Sequence, residues 1–208
     1  MTFTPGYGET PITDEEAEAL LPGVRDALGE PIRKADVYDL EQAIAEEVAE
    51  DDATAVISGA VGLEELLTER FIRDLHTRLY GDIWQWAGRL RTREMNIGVP
   101  FDQIAVELRM SFDSILYRWE HTADWTAREL GIAVHADTVR IHPFTDGNGR
   151  TTRMLADLVF FAAQSEDVPE QYDWEIDKPQ YIALLREFDL NRDAKPLAAF
   201  IPVRALGG

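Results

Sequence analysis

Apolar residues recur at helical spacing along most of this chain, and no other feature restricts its fold as strongly. Two long segments show the pattern best, because apolar positions return every three or four residues in each. The first contains Leu63, Leu66, Leu67, Ile72, Leu75 and Leu79, and the second contains Ile104, Leu108, Phe112, Ile115, Leu116 and Trp119. Further helices are predicted over residues 125–141, 148–164 and 178–191. The sequence therefore predicts an all-α fold.

One segment interrupts the helical pattern. Residues 88–100, GRLRTREMNIGVP, are bracketed by glycine and proline and are too irregular for a helix. Gly and Pro punctuate a chain in this way around turns and short strands. We predict a short β-hairpin or an extended flap here.

The chain has 208 residues, which suits one domain with a small appendage. Residues 1–59 are interpreted as an N-terminal arm followed by acidic helices, and residues 60–208 as the main domain. Within the arm, Thr13 precedes Glu16 by three residues, which is a capping-box pattern for a helix start.

Composition excludes several classes of site. The chain has no cysteine, so disulfides, thiolate nucleophiles and zinc–thiolate centres are ruled out. We find no membrane-spanning apolar run and no signal-peptide layout, and we expect a cytoplasmic protein without a membrane partner. The 39 acidic against 20 basic residues give a formal charge of −19. Such a field repels nucleic acid, so a DNA-binding regulator is disfavoured.

The segment RIHPFTDGNGRTTRMLADLVFF, residues 140–161, concentrates chemically useful side chains. His142 precedes Pro143, and proline pushes its predecessor out of helical geometry toward extended geometry. A helix should therefore end near His142 and leave its imidazole free as a general base. A structural histidine is the alternative, and we interpret His76, His121 and His135 as structural or surface residues.

The loop after His142 has the composition of a phosphate site. Asp146 is its one carboxylate, which suits Mg²⁺ when phosphates supply further ligands; a turn or helix cap is the alternative. The sequence GNG at 147–149 opens a helix, where backbone N–H groups and the helix dipole attract anions. Asn148 can hydrogen-bond either a ligand or the loop. A plain Gly-rich turn is the alternative for this motif taken alone.

Arg150 and Arg153 lie three residues apart in the first turn of the predicted helix. Cations at a helix N-terminus oppose its dipole, so we expect an anion to compensate them. A polyphosphate would do so, since guanidinium groups bind phosphate oxygens in pairs. Surface arginines paired with nearby acidic side chains are the alternative.

The sequence HPFTDGNGR followed by Arg153 resembles the signature of the Fic family, His-Pro-Phe-x-Asp/Glu-Gly-Asn-Gly-Arg-x-x-Arg, at every fixed position. The stretch LYGDIWQWAGRLR, residues 79–91, and the NIG that follows are also similar to the family, and the resemblance spans roughly residues 60–200. GDIWQWAG together with NIGV further resembles the bacterial subgroup called mobile mystery protein B.

The resemblance implies an all-α Fic-type catalytic domain with a short β-hairpin flap, preceded by a helical arm. It also implies transfer of AMP from ATP to a Tyr, Thr or Ser hydroxyl of a target protein, with release of pyrophosphate. His142 would be the base, and Asp146 would hold Mg²⁺ on the phosphates of ATP. The implied anion hole consists of the amides of Gly147, Asn148 and Gly149.

The remaining implied roles concern the arginines and the flap. Arg150 would steady the phosphates, and Arg153 would reach the γ-phosphate. The flap would hold the target segment by main-chain pairing. Its residues are Thr92, Arg93, Glu94, Met95, Asn96, Ile97 and Gly98.

Many Fic relatives restrain themselves through a Ser/Thr-x-x-x-Glu motif, and this sequence contains none. Glu46 or Glu47 in the acidic helices are candidates for a similar role with other spacing. An inhibitory partner in trans is our preferred alternative, and a homodimer is another possibility.

Two further functions stay open at this stage. One keeps the fold and uses another nucleotide donor, or removes AMP. The other is a non-catalytic nucleotide-binding module, which the presence of His142 disfavours because binding alone needs no base.

Overall fold

The computed structural model describes residues 12–165 and 168–206. The predicted arm therefore begins outside the described residues, as does the end of the chain at 207–208. Ten α-helices and two short strands lie in the described ranges. They are α1 Asp14–Ala19, α2 Pro22–Leu28, α3 Lys34–Ile57, α4 Leu63–Leu66, α5 Glu69–Tyr80, α6 Ile104–His121, α7 Ala127–Ile141, α8 Asn148–Ala163, β1 Glu170–Tyr172, α9 Lys178–Asn191, α10 Lys195–Phe200 and β2 Val203–Ala205. The all-α prediction is confirmed.

Helix α8 lies at the centre of the fold. It packs against α7, α3, α4, α5 and strand β1. Its sequence explains this position, because buried residues occur on more than one face of the helix, and such a helix needs neighbours on several sides. The buried residues are Asn148, Thr151, Thr152, Leu155, Ala156, Leu158, Val159, Phe160 and Phe161.

Helices α7 and α8 separate two apolar clusters. The larger cluster joins them to α5, α6 and the N-terminal elements, and it includes Leu20, Val37 and Val56 from the predicted arm. The smaller cluster joins them to α9, α10 and Tyr172. The described part of the arm is thus packed into the main core.

Backbone hydrogen bonds also fasten the arm to the segment before the flap. The N–H of Leu21 donates to Ile83 at 2.8 Å, and the N–H of Gln85 donates to Ala19 at 3.0 Å. Helix α3, which follows these elements, packs against α8, and this contact matters for the site below.

Most predicted helices are found within a few residues of their expected bounds. The segment 178–191 is helical over its full predicted length, and Thr13 and Glu16 form the predicted capping box. The predicted helix over 63–79 is divided in two, because the Thr68 hydroxyl accepts the N–H of Phe71 and starts a new helix at Glu69. A local cap overrides the apolar period there.

The predicted flap contains no strand. Within 88–100 the chain is irregular, and its one strand-like contact is an isolated bridge from Leu90 to Phe144. The hairpin form of the prediction is wrong, because the ends of this segment bond to the neighbouring 141–144 backbone rather than to each other. The two-stranded sheet lies elsewhere and pairs β1 with β2, which sequence periodicity did not indicate because each has three residues.

No helix in the described ranges is both long and apolar enough to cross a bilayer.

The central packing of α8 can be tested by truncating one of its buried side chains. Leu155 is fully buried, whereas Leu190 on α9 is 88% exposed. We expect Leu155→Ala to lower the free energy of unfolding by about 2–5 kcal/mol, because it leaves a cavity. The matched Leu190→Ala change should stay within about 0.5 kcal/mol of the unmodified protein. Urea unfolding followed by circular dichroism measures both, and equal effects would contradict the central packing of α8.

Candidate functional site

His142 ends helix α7, as predicted. Its N–H donates to the carbonyl of Thr138 at 3.0 Å, and its own carbonyl accepts a hydrogen bond from Arg91 Nε at 2.8 Å. The backbone is left-handed here, with φ 54° and ψ 65°. The predicted extended geometry before Pro143 is therefore wrong, because the chain turns sharply into the loop and Arg91 holds the carbonyl at that turn.

The imidazole of His142 is half-buried, and neither ring nitrogen hydrogen-bonds to any residue in the described ranges. Burial lowers the pKa of His142, the positive charge of Arg91 lowers it further, and Asp146 opposes both. The ring is consequently neutral at neutral pH and has a free lone pair, as a general base requires.

The loop from Pro143 to Gly147 is fixed by the side chain of Asn148. Its Oδ1 accepts the N–H of Phe144 at 2.9 Å, and its Nδ2 donates to the carbonyl of the same residue at 2.8 Å. Of the two roles open to Asn148 in the sequence, its side chain has the loop role, and the backbone amide is what it offers a ligand. Phe144 is fully buried.

His76 supports this loop from below. Its Nδ1 accepts the N–H of Gly88 at 2.8 Å, so the ring proton is on Nε2, which donates to the carbonyl of Asp146 at 3.1 Å. Its ring stacks on Phe144 with centroids 3.7 Å apart. Burial lowers the pKa of His76 to about 4 and keeps the ring neutral. The structural interpretation of His76 is confirmed, but its contact with the motif loop could not be predicted, because 70 residues separate it from Asp146.

Of the other two histidines, His135 is structural and His121 is a surface residue. His135 is fully buried with its Nε2 at 2.7 Å from the hydroxyl of Tyr181. His121 is exposed at the end of α6, where its ring stacks on Tyr117.

Asp146 is exposed and has one carboxylate oxygen available. Its Oδ1 accepts the N–H of Gly147 at 2.7 Å, and Oδ2 has no hydrogen bond to the described residues. In those same ranges no group of three or more His, Asp or Glu side chains could hold a metal ion. Asp146 therefore fits a hard cation such as Mg²⁺ only if the ligand supplies further oxygen atoms.

The N-terminus of α8 is open. Gly147 starts it with φ 73°, and a Cβ there would lie 2.5 Å from the Tyr80 ring, so only glycine fits. No side chain caps the helix, and nothing lies within 4 Å of the Cβ position at Gly149. The amide of Gly147 is taken by Asp146, so the amides of Asn148 and Gly149 are the ones left to meet an anion.

Arg150 is paired within the chain. Its Nη1 donates to Glu41 Oε2 on α3 at 2.6 Å, and its guanidinium lies over the Tyr80 ring, 5.1 Å from the centroid. The other oxygen of Glu41 accepts the indole N–H of Trp84 at 2.7 Å. The alternative interpretation, an arginine bridged to an acid of the chain, thus describes Arg150 in this structure.

Arg153 differs from Arg150, since it has no hydrogen bond or ion pair to the described residues. It lines a groove of about 550 Å³ between α3 and α8, together with Trp174. Asp157, one turn further along α8, also lines this groove; burial raises its pKa to about 6, and the positive charge of Arg153 opposes that rise. Arg153 is therefore the motif cation left to meet a ligand.

The predicted flap residues 92–98 are all exposed. The segment is attached at both ends, because the N–H of Arg91 donates to Pro143 at 2.9 Å and the N–H of Val99 donates to Ile141 at 3.3 Å. The flap therefore begins and ends beside His142, with its backbone open to solvent.

The two α3 acids named from the sequence, Glu46 and Glu47, do not pair with a motif arginine in the described ranges. Glu46 is exposed and accepts a bond from Gln42, and Glu47 is also exposed. Glu41 is the acid that reaches the motif. Helical spacing in the sequence does not reveal which face of α3 packs against α8, so Glu41 could not be singled out from the sequence.

Comparison with known proteins gives the family of this region. Residues 66–160 match the sequence profile of the Fic/DOC family. This segment is therefore similar to the Fic/DOC family. Membership of the mobile mystery protein B subgroup stays a prediction.

Named relatives match the same region. The chain is 34% identical over 92 residues to protein adenylyltransferase fic-1 of Caenorhabditis briggsae and 35% identical to that of Caenorhabditis elegans. Each match covers 42% of this chain and 18% of the relative. The chain thus spans about a fifth of the length of these relatives.

Solved structures of Fic proteins share the fold. BepC from Bartonella tribocorum with bound AMPPNP aligns with a TM-score of 0.61 at 16% identity, over 96% of each chain. Fic-1 (aa134–508 E274G) from C. elegans aligns with a TM-score of 0.61 at 23% identity, over 85% of this chain and 51% of that one. At these identities the likeness concerns the fold alone.

The pairing of Glu41 with Arg150 makes a test of the site. We expect Glu41→Gln to bind ATP about tenfold more tightly. In the unmodified protein Arg150 must give up its ion pair with Glu41 before it can bind phosphate, and in the variant this competing charge is absent. The amide still accepts the bond from Trp84. Isothermal titration calorimetry measures the Kd, and Glu46→Gln is the matched control. Equal Kd values for the two variants would show that Glu41 does not compete with the ligand.

Proposed function

We propose that this chain is a nucleotidyltransferase that moves AMP from ATP to a hydroxyl side chain of a target protein. One observation carries the proposal. His142 presents a neutral imidazole without a hydrogen-bond partner in the described ranges, and it does so at the head of a loop that leads into an uncapped helix N-terminus. A base and an anion site thus follow each other within eight residues, His142 to Gly149.

His142 performs the proton transfer. A ring nitrogen takes the proton of the target hydroxyl, and the hydroxyl oxygen attacks the α-phosphorus of ATP. The new O–P bond forms as the bond from the α-phosphorus to the bridging oxygen breaks, and pyrophosphate leaves with that electron pair. The low pKa of His142 keeps it unprotonated beforehand.

The start of α8 binds the phosphates. The amides of Asn148 and Gly149 and the helix dipole stabilise negative charge there. Arg153 supplies a guanidinium to the far phosphate, and Arg150 joins it when it leaves Glu41. Phosphoryl transfer depends mainly on such positioning and charge neutralisation.

Asp146 is the residue that would hold Mg²⁺, through its available Oδ2. When bound, the cation would neutralise charge on the phosphate oxygens. Asp146 is kept in place by two contacts, since its carbonyl accepts from His76 and its carboxylate accepts from Gly147.

The flap is the proposed target-binding element. Its open backbone at 92–98 can pair with an extended target segment, and its attachment beside His142 brings a target hydroxyl toward the base. The matched relatives are named protein adenylyltransferases, which supports ATP as the donor of the AMP group. A partner in trans, a homodimer and a cytoplasmic location stay predictions.

Labelled ATP tests the proposal directly. With label on the α-phosphate and Mg²⁺ present, we expect label on the protein itself or on proteins of a lysate. His142→Ala should lose this label, because no other group at the site takes the proton. Autoradiography after gel electrophoresis measures transfer.

His121→Ala is the matched control, since His121 is exposed and distant in sequence from the motif. Parallel reactions with labelled GTP, CTP and UTP identify a different donor. Binding of ATP without transfer of any label would contradict AMP transfer and favour a binding module.

The pH dependence provides a separate prediction. The base works when neutral, and burial together with Arg91 lowers its pKa. The acid limb of kcat/KM reports the base in the free enzyme, so its midpoint should lie below about pH 6.5, the ordinary histidine value. Initial rates between pH 5 and 8, roughly the window of histidine titration, measure it. A midpoint above that value would mean that His142 is not the base.

A further inference from the structure

We infer that Arg91 is a positioning residue that joins the flap to the backbone of His142, so that base and target-binding segment are held as one unit. The expected effect on the reaction rate rests on the proposed function, whereas the contacts of Arg91 are independent of it. Arg91 precedes the flap and belongs to none of the roles assigned above.

The guanidinium of Arg91 bonds three carbonyl groups from three places in the chain. Nε donates to His142 at 2.8 Å, Nη1 donates to Arg93 at 3.0 Å, and Nη2 donates to Val99. These carbonyls belong to the base, to the beginning of the flap and to its end. One planar group therefore fixes both ends of the flap against the residue that takes the proton.

Burial makes this arrangement specific. The side chain of Arg91 is only 2% exposed, and its ion-pair partner among the described residues, Glu94, lies 3.9 Å away and is itself exposed. A buried charge without a close counter-ion is stable only when its donors are satisfied, which the carbonyls achieve. Lysine keeps the charge but lacks the planar fork that reaches several acceptors at once.

Gly98 shows how tightly the flap crosses the base. Its φ is 98°, and a Cβ there would lie 2.7 Å from Arg91 Nη2 and 2.8 Å from His142 Cβ. The end of the flap therefore passes in contact with both residues. A side chain at position 98 would separate what Arg91 joins.

The backbone geometry of His142 explains why the bond from Arg91 should affect the reaction rate. His142 is held at positive φ, a geometry that is strained for a non-glycine residue, and Pro143 favours extended geometry before it. The bond from Arg91 Nε to the His142 carbonyl opposes relaxation to that geometry. Without it, the imidazole and the flap should both move, and small displacements of a catalytic group can reduce rates by roughly a hundredfold.

Three variants and a matched control test the inference. Arg91→Gln removes charge and fork, Arg91→Lys removes the fork alone, and Gly98→Ala pushes the flap from the same junction. Arg89→Gln removes an arginine charge two residues earlier, where the side chain is exposed. Circular dichroism and thermal melting establish which variants fold, and if Arg91→Gln does not, Arg91→Lys decides the matter.

The first readout needs no activity. NMR titration of the His142 ring should give a higher pKa in Arg91→Gln than in the unmodified protein, because a nearby positive charge is gone, and an unchanged pKa in Arg89→Gln. Hydrogen exchange should speed up at the amides of residues 92–99 in all three test variants. Exchange and pKa equal to those of Arg89→Gln would overturn the inference, whatever reaction the protein performs.

The second readout uses AMP transfer. We expect kcat to fall by about 10–100-fold in Arg91→Gln and Arg91→Lys while the Kd for ATP stays within about twofold, since the phosphate site on α8 is separate. Normal kcat in both folded variants would overturn the inference. Absence of transfer in the unmodified protein would instead count against the proposed function, and the NMR and exchange results would still decide on Arg91.

Discussion

The structure depends on one constraint: two buried helices, α7 and α8, must be joined by a short loop whose own polar backbone is largely buried. Buried N–H and carbonyl groups need partners, and this loop has no regular structure to provide them. Side chains from three directions do so instead. Asn148 bonds both polar groups of Phe144, His76 bonds the carbonyl of Asp146, and Arg91 bonds the carbonyl of His142.

Because these contacts bond the backbone of the loop, its reactive atoms stay free of structural hydrogen bonds in the described ranges. Because side chains below and beside the loop hold its backbone, the imidazole of His142 and one oxygen of Asp146 need no structural bonds of their own. The start of α8 is likewise left free, since a side-chain cap there would occupy the amides that an anion needs. Rigidity is thus supplied by residues that do not react.

Charge at the site is balanced within the chain. The protein carries a net charge of −19, yet the loop and the start of α8 concentrate arginine. Glu41 neutralises Arg150, whereas Arg153 keeps its charge available at the groove between α3 and α8. Of the two motif arginines, an anionic ligand therefore meets Arg153, which has no ion pair within the described ranges, and Arg150, which must first exchange Glu41 for phosphate. This coupling links the described part of the N-terminal arm to the site through α3.

The sequence by itself determined the helices, the end of α7 at His142 and the open glycine loop, and it carried a family resemblance over roughly residues 60–200. These features depend on local periodicity, on proline and glycine geometry and on contiguous motif residues. Tertiary structure decided the roles of Glu41, His76 and Arg91, which lie 109, 70 and 51 residues from their partners in the motif. Side-chain contacts over such separations depend on which helix face turns inward and on how the flap crosses the loop. It also decided that the flap is no hairpin and that His142 is left-handed, since bonds to distant backbone outweigh the local preference in both places.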